Sequence, residues 1–134
     1  MNGGGYFNFT KEERVAGKKR VEHLFTHGRS MMVYPFRVVY LETTHPQTVP
    51  VSILVSIPKK RLRSAAHRNR MKRLTREAYR LNKHLFDVAL SGKEVHIDVA
   101  FVYVKDALSD FSTVEKSVQK ALSALKEQIG KGKW

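Results

Sequence analysis

The segment Ala66–Arg80 constrains the fold most strongly, because its apolar residues follow a helical period although it contains six Lys and Arg residues. At about 100° per residue, the apolar residues share one face of a helix and the basic residues lie opposite. The apolar face consists of Met71, Leu74, Ala78, Leu81 and Leu85. The basic face consists of Arg68, Lys72, Arg73, Arg76, Arg80 and Lys83. The first five of these basic residues are called the basic ridge below. Because like charges one turn apart repel, this helix is expected to lie against a polyanion.

The positive charge of the chain is concentrated around this helix. The formal net charge is +13, and eleven of the 25 Lys and Arg residues lie between Lys59 and Lys83. Charge concentrated in this way is typical of a nucleic-acid-binding surface with strongly salt-dependent affinity. A membrane is a less suitable partner, because the helix has a narrow apolar face with no Trp at its boundary.

Composition excludes several other classes of protein. The chain has no Cys, which rules out disulfide frameworks, thiol catalysis and Cys-ligated zinc. The first residues lack the pattern of a signal peptide, and no window approaches the about 18 apolar residues of a membrane span. We therefore expect a cytoplasmic protein with no membrane contact. The length predicts a single domain over residues 1–134, with 1–8 and 130–134 flexible.

The remaining patterns predict two further helices and three strands. Lys18–Thr26 has the pattern of a short helix that Gly28 ends, and the last helix is expected to begin at Ser112, where Ser112 and Glu115 match a capping box. The predicted strands are Met32–Glu42, Val49–Ile57 and Val95–Val104. Further capping signals are Ser64 before the basic helix and Thr10–Glu13 near the N-terminus.

The order of these elements predicts an α+β fold, a small two-layer sandwich in which a mixed β-sheet packs with three helices. The first two strands are expected to run antiparallel. The second and third, joined through the basic helix, are expected to run parallel. Val99–Val104 is apolar on both faces, which predicts a central strand. The predicted buried stripe of the last helix is Val114, Val118, Ala121, Leu122, Leu125 and Ile129.

Three motifs resemble one known family. Ser56-Ile57-Pro58-Lys59-Lys60 is similar to an S-x-x-K-K turn, and the segment from Arg68 to Glu77 is similar to an R-N-R-x-K-R-x-x-R-E helix. Val21-Glu22-His23-Leu24-Phe25, followed by Gly28-Arg29-Ser30, resembles a first helix and the turn after it. Together these motifs resemble the protein subunit of bacterial ribonuclease P from about Phe9 to Leu125. Two departures are Val21, where the family often has an aromatic residue, and Pro58, where a small or polar residue is usual.

The resemblance implies a subunit of an RNA-based endonuclease that removes the 5′ leader from precursor tRNA. It implies that the RNA subunit carries the active site and its Mg²⁺ ions, and that the protein binds both that RNA and the leader. The expected partners are ribonuclease P RNA and precursor tRNA, with no obligate protein partner. The implied fold has a left-handed β-α-β crossover, as in the second domain of ribosomal protein S5, whereas pattern alone predicts the common right-handed one.

Two sets of site residues follow. The predicted RNA-subunit-binding residues are Lys59, Lys60, Arg61, Arg63, Arg68, Asn69, Arg70, Lys72, Arg73, Arg76 and Arg80. Within this set, Arg70 is expected on the seam between the ridge and the core, near Glu77, and Asn69 could alternatively serve as a local cap. The predicted leader-binding residues are Val21, Phe25, Arg29, Phe36, Arg37, Val38 and Tyr40. The aromatic members of this set, together with Tyr34, could stack on a single strand. The alternative for those aromatic side chains is an ordinary core.

The acidic and histidine residues do not suggest a protein-based nuclease. The twelve Asp and Glu residues are scattered, whereas metal-dependent cleavage needs clustered carboxylates. His96 and Asp98 share a strand face, which allows either a catalytic pair or, by preference, a surface or interface pair. His23 and His27 have metal-ligand spacing but no apparent third ligand. We therefore predict no catalytic residue and no metal site in the protein.

Three alternatives remain beside the ribonuclease P subunit. A ribosomal-type RNA-binding protein would account for charge and size, but not for the turn and helix motifs together. A stand-alone nuclease is disfavoured by the scattered carboxylates. A DNA-binding module would need a partner helix and usually a dimer, which the strand-rich surroundings do not suggest.

Overall fold

The computed structural model describes residues 11–43, 49–84 and 96–130. After a 3₁₀ turn at Lys11–Glu13, these residues form three helices and four strands. The helices are α1 (Lys18–His27), α2 (Ala65–Asn82) and α3 (Phe111–Gly130). The strands are β1 (Arg29–Val33), β2 (Phe36–Thr43), β3 (Val51–Ser56) and β4 (His96–Tyr103). None of the described helices is long and apolar enough to cross a membrane.

The four strands form one mixed sheet in the order β1-β2-β4-β3. β2 pairs antiparallel with β1 and with β4, and β3 pairs parallel with β4. The predictions of a central last strand and of a parallel pair joined through the basic helix are therefore confirmed. The two early strands run in opposite directions as expected, but they are not neighbours, because β4 lies between them. The handedness of the β3-α2-β4 crossover stays a prediction.

The predicted strand Met32–Glu42 is wrong as a single element. The chain instead forms a hairpin, with β1 already beginning at Arg29 and a turn at Tyr34 and Pro35. Proline has no N–H to donate to a sheet ladder, so the turn is a suitable place for Pro35. Its carbonyl oxygen accepts a hydrogen bond from the Val104 N–H at 2.8 Å.

Helices cover both faces of the sheet, and each face has its own apolar cluster. The larger cluster joins one sheet face to α2 and α3, and it includes Phe36, Phe101 and Tyr103, whose rings meet edge to face. The smaller cluster joins the other face to α1 through Leu24. The α+β class, the mixed sheet and the three helices are confirmed. The two-layer description holds for α2 and α3, while α1 forms part of a third layer.

The buried face of α2 is rotated by about 60° from the predicted one. Met71 and Ala78 are buried as expected, but Leu74 and Leu81 are only half-buried. The residues that complete the buried face are Thr75, Tyr79 and Asn82. Asn82 faces α3, where its amide donates to Glu115 at 3.1 Å and accepts from Gln119 at 2.9 Å. Leu85 lies outside the described residues.

Two of the three predicted helix caps can be compared with the structure, since Thr10 lies outside the described residues. Ser64 caps α2 as predicted, since its hydroxyl oxygen accepts the His67 N–H at 3.3 Å. The predicted Ser112 cap is wrong, because Asp110 accepts the Thr113 N–H at 2.9 Å instead. This backbone hydrogen bond lowers the pKa of Asp110. In the last helix, five members of the predicted stripe are buried, and the side chain of Ile129 is outside the described set.

Candidate nucleic-acid interface

The outer side of α2 and the turn before it form one continuous basic surface. Asn69, Arg70 and Arg73 are exposed on α2, and the half-exposed residues beside them are Lys72, Arg76 and Arg80. In the preceding turn, Lys59, Lys60 and Arg63 are exposed and Arg61 is half-exposed. The prediction that Arg70 lies on the seam near Glu77 is wrong, because the rotation of α2 turns Arg70 to solvent.

Arg68 differs from the rest of the basic ridge because its guanidinium folds back onto the turn. Its Nη1 donates to the carbonyl oxygens of Leu62 and Arg63 at 2.9 and 2.8 Å. Leu62 is buried and anchors the turn in the core. Arg68 therefore holds the basic turn against the first turn of α2, so that both present their charges on one side.

The basic turn borders an open pocket of about 520 Å³. Its lining consists of Lys60, Arg61, Leu62, Arg63, Ser64, His67, Asp106, Ala107 and Leu108. Arg61 Nη1 donates to Asp106 at 3.1 Å, which ties the basic turn to the loop before α3. The local field is positive, because one carboxylate faces several cations at the N-terminus of α2.

Ion pairs occupy the C-terminal part of α2. Arg80 pairs with Glu77, which raises the pKa of Arg80 and lowers that of Glu77 through their hydrogen bonds. Lys83, which the helical period places with the basic residues, is instead buried, and its Nζ donates to both oxygens of Glu13 at 2.8 and 2.7 Å. The exposed basic surface is therefore concentrated in the N-terminal half of α2 and the turn before it.

The predicted leader-binding residues are divided between the two faces of the sheet. Phe36 and Val38 have 0% exposure and Tyr40 has 6%, and all three lie in the cluster against α2 and α3. Direct stacking of these three residues on RNA is therefore wrong, and the core alternative is correct for them. The physical reason is register: in β2 they alternate with Arg37, so a one-residue step changes the face.

The α1 side of the sheet carries the accessible part of the predicted set. Phe25 is 39% exposed, Val21 is half-buried, and Arg37 is exposed. Arg29 is also exposed, but it pairs with Tyr40 in the β1–β2 register, so it belongs to the opposite face. The structure thus keeps Val21, Phe25 and Arg37 together on one side.

Similarity to known proteins agrees with this geometry. The family model for ribonuclease P matches residues 9–126. The ribonuclease P protein component of Porphyromonas gingivalis is 43% identical over 122 residues, which cover 91% of this chain and 89% of that protein. This chain belongs to the ribonuclease P protein family. It is therefore a protein subunit of ribonuclease P that takes part in tRNA processing, and ribonuclease P RNA is its partner.

Solved ribonuclease P proteins share the fold. The protein from Thermotoga maritima superposes with a TM-score of 0.67 at 21% identity, covering 84% of this chain and 96% of that one. The protein from Staphylococcus aureus gives a TM-score of 0.66 at 19% identity, covering 85% and 95%. These structures confirm the fold, whereas the family model and the Porphyromonas gingivalis relative confirm the predicted family, and the ribosomal-type alternative has no support.

Some surface residues of this ribonuclease P protein were missed in the sequence. Met32 is 61% exposed and is the register partner of Arg37, so it belongs to the α1 side of the sheet. The signal that could have found it is Pro35, because a turn there brings Met32 opposite Arg37. Tyr34, which the sequence already suggested for stacking, lies at the hairpin turn and is 64% exposed. A further missed residue is the exposed Arg14. The pKa of Arg76 is lowered, mainly by burial of Arg76 and in addition by the nearby positive charge of Arg14.

His96 and Asp98 share a face as predicted, but they are buried rather than at the surface, with side-chain exposures of 5% and 3%. His96 Nδ1 donates to the Val49 carbonyl oxygen at 2.6 Å, and its Nε2 lies 3.0 Å from Asp98 Oδ1. Arg20 of α1 completes the cluster with two hydrogen bonds to Asp98. Burial raises the pKa of Asp98, but hydrogen bonds from His96 and Arg20 outweigh burial and lower it overall. Because both side chains are buried and already hydrogen-bonded within the protein, they do not suit a catalytic pair.

His23 and His27 are four positions apart, which is a metal-ligand spacing on a helix. The rings of His23 and His27 lie 4.7 Å apart on the exposed side of α1. Among residues 11–43, 49–84 and 96–130, no three His, Asp or Glu side chains form a group able to hold a metal ion.

Proposed function

We propose that this ribonuclease P subunit binds its RNA through the basic surface of α2 and the turn before it, and contacts the precursor-tRNA leader on the α1 side of the sheet. The observation that carries the first part is the exposure of Arg70 and Arg73 beside Lys59, Lys60 and Arg63. Such residues bind phosphate well for two reasons. A guanidinium group can donate two parallel hydrogen bonds to one phosphate, and each phosphate that is neutralised releases counterions.

We further propose that the catalytic centre lies in the RNA and uses Mg²⁺ there. In support, most carboxylates of the described residues already have protein partners. Glu13 is held by Lys83, Glu77 by Arg80 and Asp98 by Arg20. In the same way, Asp106 is held by Arg61, and Asp110 caps α3. The protein's role is then to neutralise backbone charge and to hold the two RNAs in position.

The leader contact is proposed for the surface formed by Val21, Phe25, Met32 and Arg37, called the α1-side surface below. It combines an exposed aromatic ring, a flexible thioether and a guanidinium, and such a surface can stack on bases while it pairs with phosphate. This surface leaves out the buried Phe36, Val38 and Tyr40 of the sequence-based prediction, and also Arg29, which lies on the opposite face of the sheet.

The test of the catalytic proposal is precursor-tRNA cleavage at moderate Mg²⁺ in four samples: no addition, protein alone, cognate ribonuclease P RNA alone, and both. We expect cleavage at the mature 5′ end that requires the RNA and is strongly enhanced by the protein. Cleavage by the pure protein would overturn the proposal that the centre lies in the RNA.

The RNA-binding surface is tested by the double variant Arg70→Ala/Arg73→Ala. The slope of log affinity for ribonuclease P RNA against log salt should fall by about one and a half units, because about two phosphate contacts are lost. The matched control is Lys120→Ala/Lys126→Ala, which removes two exposed charges from α3. Equal slopes for the two double variants would remove Arg70 and Arg73 from the interface.

The leader surface has its own matched pair of variants, since Arg37 and Arg29 lie on adjacent strands but on opposite faces. Arg37→Ala should lower holoenzyme affinity for precursor tRNA while leaving affinity for mature tRNA unchanged, and Arg29→Ala should alter neither. The reverse pattern would mean that the leader follows the other side of the sheet.

A further inference from the structure

Helix α1 is attached to the sheet by three residues spaced four apart, Arg20, Leu24 and Gly28. Leu24 has 0% exposure and packs on Val39 and Ala100. Gly28 lies so close to β2 that an added Cβ would stand 2.8 Å from Val39 Cγ1. The middle and the end of α1 are therefore fixed by close packing, and the first turn depends on Arg20.

The attachment at Arg20 is polar and forms a specific network. Its Nε donates to Asp98 Oδ2 at 3.1 Å, and its Nη2 donates to Asp98 Oδ1 at 2.7 Å. The same Nη2 lies 3.2 Å from His96 Nε2. The same Nε2 lies 3.0 Å from Asp98 Oδ1, and His96 Nδ1 donates to the Val49 carbonyl oxygen. Arg20, His96 and Asp98 therefore form one contiguous cluster.

This network joins α1 to the central strand. Asp98 pairs with Leu41 of β2 on one side and Ser52 of β3 on the other. Since Asp98 alternates with Ile97 and Val99, which face α2 and α3, its side chain belongs to the α1 side. The first turn of α1 is thus held on the middle of the sheet and not on a flexible edge.

The same helix carries half of the α1-side surface. Val21 and Phe25 each follow an attachment residue by one position, which places them about 100° around the helix from Arg20 and Leu24. Any tilt or rotation of the first turn of α1 therefore changes the distance between these side chains and Arg37, which is fixed in β2. The three groups can contact one strand of RNA together only when α1 is held at one angle.

We propose that Arg20 is a positioning residue for leader recognition, because its bonds to Asp98 and His96 set the angle of α1 and so the spacing of the α1-side surface. The proposal rests on the proposed function of that surface. Arg20 acts through α1 and need not touch RNA itself. A misplacement of reacting or binding groups by about 1 Å can be costly, so one ion pair can matter even where the helix remains folded.

The experiment uses holoenzyme reconstituted with cognate ribonuclease P RNA. The affinity for a cleavage-blocked precursor tRNA is divided by the affinity for mature tRNA, and this ratio is compared among variants. Arg20→Met removes the network while keeping a long side chain, and it should lower the ratio about three- to tenfold, where tenfold corresponds to about 1.4 kcal/mol. Arg20→Lys, which keeps the charge but loses the paired geometry, should recover part of the ratio.

Two further variants separate the possible failures. Lys19→Met removes one exposed charge from the neighbouring position, and its ratio should stay within about twofold of the parent value. Phe25→Ala tests the surface itself. If Phe25→Ala leaves the ratio unchanged, the leader surface is wrong. If Phe25→Ala lowers the ratio and Arg20→Met does not, the surface stands and the positioning role of Arg20 is refuted.

A structural readout distinguishes positioning from general destabilisation. In Arg20→Met, amide hydrogen exchange should increase in α1 while α2 and α3 keep their protection, and affinity for ribonuclease P RNA should be unchanged. Equal loss of protection in all three helices would refute a local role. Should Arg20→Met fail to fold, Arg20→Lys decides: a ratio below the parent value supports the proposal, and an unchanged ratio refutes it.

Discussion

The buried ion pair between Glu13 and Lys83 provides the strongest test of how the N-terminal segment is held. The side chains are 6% and 5% exposed, and Lys83 Nζ reaches both carboxylate oxygens. The pair joins the 3₁₀ turn to the end of α2. Next to it, the Val15 N–H donates to the Ile53 carbonyl oxygen at 2.9 Å, which attaches the segment to the exposed edge of β3.

Replacement of Glu13 by Leu would leave the Lys83 ammonium buried without its counter-ion. Breaking a buried pair in this way costs about 3–5 kcal/mol. Two charge-assisted hydrogen bonds at about 1.5–3 kcal/mol each give a similar magnitude. For a domain whose total stability is about 5–15 kcal/mol, Glu13→Leu should lower the free energy of unfolding by roughly a fifth or more.

The assay is urea unfolding of the parent, Glu13→Leu, Lys83→Met and the double variant, with the slope compared to confirm two-state behaviour. The double variant should recover most of the loss, because an apolar pair of similar volume is often neutral or stabilising relative to a buried ion pair. A Glu13→Leu loss below about 1 kcal/mol, the range of exposed pairs, would refute the reasoning, as would a double variant whose loss equals the sum of the two singles.

Two further predictions concern local features. Asp110→Ala should destabilise the protein by about 1 kcal/mol through loss of the α3 cap, whereas Ser112→Ala should have almost no effect. Thermal unfolding of both variants measures the difference, and a larger loss of stability in Ser112→Ala would mean that Ser112 is the cap. Because the pKa of Asp98 is lowered in the folded state, its contribution to stability is present above the unfolded pKa of about 3.9 and is lost as pH falls through the folded pKa. Asp98→Asn should therefore flatten the acid limb of a stability–pH curve, and an acid limb identical to that of the parent would contradict this.

The patterns that predicted elements correctly are those with a strong local cause. The period of α2 was readable because Met71 and Ala78 recur at helical spacing in a segment rich in charge. Ser64 was readable as a cap because its hydroxyl can satisfy a free N–H of the first turn whatever the rest of the fold does. The central position of β4 followed from its apolar residues on both faces, since only a strand covered on both sides tolerates them.

The errors have a different origin, because each depends on neighbours that are distant in the sequence. The direction in which α2 turns its buried face is set by α3. Glu115 and Gln119 of α3 form hydrogen bonds with Asn82, so that Asn82 is buried and Leu74 is left half-exposed. The hairpin at Pro35 is stabilised from beyond the end of β4, where the Val104 N–H donates to the Pro35 carbonyl oxygen. Neither contact produces a periodic pattern in the nearby sequence.

The site divides in the same way. The basic surface was predictable as a whole, because charge and helical spacing are local properties and the family motifs fall within it, but the positions of Arg68, Arg70 and Lys83 were not. The accessible side of β2 was not, because Phe36 and Arg37 are equally compatible with either face until helices cover the sheet.

The sequence by itself therefore determined the class of fold, the basic helix, the family and the RNA partner. Only the tertiary structure decided that Lys83 is buried against Glu13, that Arg68 supports the basic turn, and that Arg20 reaches Asp98 and His96. The physical reason is that burial and ion pairing depend on three-dimensional distance: Arg20 and Asp98 are 78 positions apart in the chain, and only packing brings them within hydrogen-bond distance.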